Sequence, residues 1–164
     1  MPSTADAVIR EAAWLAAYNS ADGLPGLTTG NGGPFDIVQP YLPRTPHARR
    51  SQLYVVRRDL KVDRFGFNRK INHYQFELRI IWPQSSGTGE AEAVQQNLDN
   101  AIDLVLRRVS GLPGDKTHGA RFMSVAEDPC EIDVNFADPW VSMEARADLQ
   151  CTVTYRADDQ DFYS

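Results

Sequence analysis

The sequence is poor in the residues that make covalent or metal-bound sites. Its two cysteines, Cys130 and Cys151, form no CxxC and no Cys/His pair. They supply neither a disulfide framework nor zinc-ligand spacing, and they read as two small buried apolar residues. The three histidines, His47, His73 and His118, have no partner at HxH, HxxxH or HExxH spacing. No serine lies in a GxSxG elbow. No apolar run approaches the ~20 residues of a membrane span, and none follows a basic N-terminal cluster. No membrane anchor or secretory leader is therefore expected, and a soluble intracellular protein is. An excess of positive charge is also missing. The net charge of −5 argues against a dedicated nucleic-acid or anionic-membrane binder.

What remains is an ordinary globular composition, 42% hydrophobic and 24% charged over 164 residues. That is one domain's worth of chain, long enough to bury a core without staples.

Ser3 and Thr4 are N-cap residues for a first helix, with Asp6 at the positive end of its dipole and Val8, Ala12, Leu15 and Ala16 at helical spacing. Five glycines and two prolines between 23 and 34 predict a mobile loop, and the Gly/Pro-rich loop region extends over 23–46. Thr28 to Gly33 lacks the lysine and the spacing of a phosphate cradle. Phe35–Val38 and Leu53–Val56 are strand candidates. A charged hairpin follows, with Phe65-Gly66-Phe67 near its middle. Its return strand sets Tyr74, Phe76, Leu78, Ile80 and Trp82 on one face and His73, Gln75, Glu77 and Arg79 on the other.

Thr88 is the expected N-cap of a second helix, whose stripe is Val94, Leu98, Ala101, Ile102, Val105 and Val109. Arg107 and Arg108 lie in its last turn, and Gly111 and Pro113 stop it. Short strands are expected over 121–126 and 131–136. From Val141 to Tyr155 every odd position is apolar and the even positions are polar, the pattern of a long half-buried strand. Residues 157–164 read as a mobile acidic tail. The order α-β-β-β-α-β-β-β predicts an α+β fold, a mainly antiparallel sheet against two helices with a projecting β-hairpin arm.

Charge is unevenly distributed. Residues 49–70 hold eight cations against two carboxylates, +6, which leaves −11 for the rest of the chain. One account is a solvated hairpin. The sharper one is a basic arm that meets an acidic surface on another copy, with Phe65 and Phe67 burying apolar area there. The candidate interface residues are Arg57, Arg58, Lys61, Arg64, Phe65, Phe67, Arg69 and Lys70.

The stretch from about Leu53 to Tyr155 resembles the tail terminator (tail-completion) proteins of long-tailed bacteriophages. It carries a strand, the arm, the strand His73–Pro83, a linker, the helix Ala91–Val109, and strands in which Asp138-Pro139-Trp140 opens the last. The resemblance implies a structural virion protein at the head-proximal end of the tail, present in the host cytoplasm during assembly. It would form a homo-oligomeric ring, usually a hexamer, that caps the tail tube protein, ends polymerisation and meets the head–tail connector protein. DNA would pass through the lumen without specific binding. No catalysis, cofactor, metal or membrane is implied. The alternatives are another head–tail neck component, a non-phage oligomeric adaptor of the same α+β design, or a small enzyme whose residues converge only in the fold.

Overall fold

The computed structural model describes residues 6–17, 26–45, 50–64, 66–83, 91–110, 117–126, 132–136 and 149–162. In chain order the elements are α1 (Ala7–Ala16), β1 (Ile37–Gln39), β2 (Gln52–Arg64), β3 (Arg69–Trp82), α2 (Ala91–Val109), β4 (Ser124–Val125), β5 (Asp133–Phe136) and β6 (Leu149–Phe162). They make the expected α+β fold.

One mixed sheet has the order β1-β2-β3-β6-β4, with β5 also on β6. β1 runs parallel to β2, and the remaining pairs are antiparallel. Period-2 alternation gives the sheet one apolar face. β2 contributes Leu53 and Val55, β3 contributes Tyr74, Phe76, Leu78 and Ile80, and β6 contributes Cys151, Val153, Tyr155 and Ala157. Ala12, Trp14 and Leu15 of α1 join the same core, as do Leu98, Ala101, Ile102, Val105 and Val109 of α2. The stripe expected on α2 is thus the buried one from Leu98 onward, while Val94 is half-buried. On α1 the buried face is Ala7, Glu11, Ala12, Trp14 and Leu15, while Val8 is half-buried.

Several expectations need correction. Residues 157–162 are not a tail. They are the end of β6, paired with β3 as far as Arg69↔Phe162. Ala157 is buried, and Asp158 and Asp159 are 9% and 8% exposed. Because β6 accompanies β3 to its first residue, the hairpin does not stand off as an arm. Only β2 lies on the outside, beyond the three residues that β1 covers.

The segment 26–34 is a compact turn with a 3-10 step at 29–31. Leu27 N–H donates to Leu15 O (3.0 Å), and the Asn31 side-chain amide donates to Ala16 O. A Cβ on Gly33 would collide with the backbone of Gly26 and Leu27, so this close approach requires glycine. Strand β4 is shorter than expected, because residues 117–123 form turns with His118 and Ala120 at positive φ, and β5 spans Asp133–Phe136. The expected caps at Ser3, Thr4 and Thr88, and the alternation from 141 to 148, lie outside the described residues.

Candidate functional site

The hairpin places the expected interface residues along β2 and around its tip. The ladder runs from Gln52↔Ile81 to Arg64↔Lys70, with an irregularity between Arg57 and Asp59. Arg57, Lys61 and Arg64 are exposed, and Arg69 and Lys70 are half-buried on β3. Phe65 lies outside the described residues. Phe67 is 95% exposed.

The turn is internally braced. Arg64 Nε donates to Gly66 O (3.2 Å) and its Nη2 donates to Phe67 O (3.5 Å). Gly66 sits at φ +99, in open space. The guanidinium therefore holds the backbone that presents the phenyl ring.

The polar face of the sheet ties down part of the charge. Glu77 is 6% exposed and accepts from Arg58 Nη1 at Oε1 and from Arg79 Nη2 at Oε2, each at 2.8 Å. Arg58 is thus held over its own sheet. Asp59 Oδ1 accepts from the Leu60 N–H (2.8 Å). Asp63 Oδ2 lies 2.9 Å from His73 Nε2, and Asp158 Oδ1 lies 2.6 Å from His73 Nδ1. His73 therefore links β2, β3 and β6. Arg156 Nε is 3.1 Å from Asp158 Oδ1, and Arg10 Nη1 of α1 is 3.5 Å from Asp159 Oδ2. The acidic end of β6 is in large part neutralised within the chain.

A second cluster, not visible in the sequence, lies between the helices and the sheet. Glu11, His118 and Tyr155 are 0%, 0% and 2% exposed. Tyr155 OH donates to Glu11 Oε1 (2.6 Å), His118 Nδ1 faces the same carboxylate at 2.7 Å, and His118 Nε2 meets Val109 O at 2.8 Å. Trp14 stacks on the imidazole with centroids 3.8 Å apart. Arg108 covers the other reach of Trp14 at 4.1 Å and donates to Trp14 O and Ala17 O, carbonyls at the end of α1. Burial, then the Glu11 carboxylate, hold the Tyr155 hydroxyl well above its ordinary pKa. No local motif signals this cluster, since Glu11 and His118 are 107 residues apart.

Both ring nitrogens of His73 and of His118 are engaged in hydrogen bonds within the chain. Among the described residues no group of three His, Cys, Asp or Glu side chains is arranged to hold a metal ion. Cys151 is buried, and its thiol is pushed up to about 11 by burial and then by Asp99. The described helices include none long and apolar enough to cross a membrane. No protein-family model matches the chain, and a search of the curated proteins finds no relative.

Proposed function

We propose that the chain is a structural assembly subunit, a tail-terminator-like protein of a long-tailed bacteriophage. It would ring the end of the tail tube, stop tube polymerisation and present a surface to the head–tail connector. The observation that carries this reading is the braced hairpin tip, a fully presented phenyl ring within a strongly basic segment of an acidic chain. An exposed aromatic on a rigid turn is a binding anchor, because burying it in a partner gains apolar area without ordering a loop. Support for the phage setting is the element order, an N-terminal helix, a long hairpin, a single long helix and a final long strand, in one α+β layer pair.

On this reading the protein catalyses nothing and takes no cofactor. Its partners are copies of itself, six to a ring where the family's form is followed, the tube protein and the connector. The net negative charge suits a lumen through which DNA slides, since each neutralised phosphate would slow passage. The place of the protein is the head-proximal end of the virion tail. Negative-stain microscopy of tubes polymerised with and without the chain tests this. Shortened tubes with added density at one end are expected, and an unchanged length distribution would contradict it.

A further inference from the structure

The sheet ends on two edges of opposite charge. β1 covers β2 only as far as Tyr54. Among the described residues no strand lies on the outer side of residues 58–62, and none lies on the outer side of β5. Such edges present backbone donors and acceptors to any strand that fits. The β2 edge reads Arg58-Asp59-Leu60-Lys61-Val62 and belongs to the +6 segment. Lys61 is exposed, and Val62 is 48% exposed. The β5 edge, with the residue before it, reads Ile132-Asp133-Val134-Asn135-Phe136, and the sequence from 127 to 138 has five carboxylates and no cation. Asp133 is exposed, and Phe136 is 61% exposed. Leu60, Ile132 and Val134 all pack against the core, so both edges carry their apolar side chains on the same face of the sheet.

Topology and charge together fix how the two edges can meet. β2, β3, β6 and β5 alternate in direction, so β5 runs opposite to β2. Copies related by rotation about an axis along the strands keep their faces and directions, and β5 of one then meets β2 of the next antiparallel. A one-residue slip would turn the apolar side chains of one edge to the polar face of the other. Of the registers that keep the faces, one sets Lys61 opposite Asp133, Leu60 opposite Val134, Val62 opposite Ile132 and Asp59 opposite Asn135. It also brings Phe136 to the irregular step at Arg57 and Arg58, where a guanidinium favours an aromatic face. A shift of two residues either way sets Asp133 against Asp59 or Asp63, and like charges directly opposite are destabilising.

We infer that β5 of one copy pairs with β2 of the next in this register, continuing the sheet across the subunit boundary. The inference rests on the reading of the chain as a self-assembling subunit and names the surfaces that join. The edges are different patches, so the contact is head-to-tail, the kind that closes rings. Two β2 edges paired about Lys61 would set it against its own copy, so charge selects the unlike edge.

The test reverses one charge on each edge of the full chain. Lys61→Glu and Asp133→Lys each should self-associate on the order of 10-fold more weakly than the parent in sedimentation velocity. The double variant should recover the parent's association. So should an equal mixture of the two single variants, because the reversed position of one then meets the reversed position of the other. Within one chain the two positions are three strand spacings apart, at least roughly 14 Å, so recovery reports a contact between copies. Both positions are exposed, and circular dichroism checks folding. If a reversal does not fold, a mixture of Lys61→Cys and Asp133→Cys chains, each with Cys130→Ser, replaces it. Opposite positions lie about 4.5–5.5 Å apart, within disulfide reach, so oxidation should give a covalent dimer. No dimer overturns the inference, as do reversals without effect, reversals that weaken assembly with no recovery in the double variant or the mixture, or a parent that stays monomeric to about 1 mM. If Phe67→Ala dissociates the parent oligomer while the reversals do nothing, the edge pairing is wrong and the docking tip stands. Tube length in the presence of the chain decides the assembly reading separately.

Discussion

His118 Nδ1 lies 2.7 Å from Glu11 Oε1, and neither side chain has any solvent exposure. The pair joins the first helix to the loop after the second, and Tyr155 ties it to the sheet. Removing one partner strands the other in a dry site, which costs about 3–5 kcal/mol. Glu11→Ala and His118→Ala should each lose that much in urea titration. The double variant should lose clearly less than their sum, by about 1 kcal/mol or more. Additive losses would mean the pair is not a unit.

Alkaline pH should destabilise the fold through groups whose folded pKa is raised. The Cys151 thiol moves from 9.0 to about 11, and the Tyr155 hydroxyl lies well above 10.0. Unfolding lets both ionise at their ordinary values. The Cys151 contribution is therefore complete below about pH 9 and is lost as pH rises through about 11, while that of Tyr155 starts to be lost only above about pH 10. The expected slope is up to about 1.4 kcal/mol per pH unit for each group. Cys151→Ala should flatten the curve between pH 9 and 11. An unchanged slope in that variant would contradict burial of the thiol.

The core should report the register of the sheet. Leu78 is fully buried, while Leu149 is only partly so. Leu78→Ala should cost about 2–5 kcal/mol, and Leu149→Ala distinctly less. Equal losses in denaturant titration would contradict the half-exposed start of β6.

The turn offers a purely backbone test. A Cβ on Gly66 would touch nothing within 4 Å, but its φ is +99. Gly66→Ala should cost about 1–3 kcal/mol from conformation alone. A loss below about 0.3 kcal/mol would mean that the turn is not held in this form.

Periodicity made the frame legible. The β3 alternation and the α2 stripe reappear as the buried faces, because each follows from local geometry and one apolar core. The Asp158-Asp159-Gln160-Asp161 run misled for a physical reason. Such a run looks solvated in isolation, yet His73, Arg156 and Arg10 pair with two of its carboxylates from other positions in the sheet and from α1. Pairing of that kind cannot be seen along the chain. The turn at 26–34 was hidden likewise, since glycine signals both mobility and close approach, and only contact with α1 decides between them. Of the candidate surface, the basic character and Phe67 were legible. The bracing by Arg64 depends on atoms placed by the fold.

The central claim is that the chain works by assembling through its hairpin tip. Sedimentation velocity of the full chain over a concentration series, repeated with tail tubes present, tests it most directly. The account predicts a species several times heavier than the 18.4 kDa chain, or co-sedimentation with tubes, lost in a folded Phe65→Ala/Phe67→Ala variant and less affected in Arg64→Ala. A parent that sediments at 18.4 kDa at every concentration and is left behind when tubes pellet would contradict it.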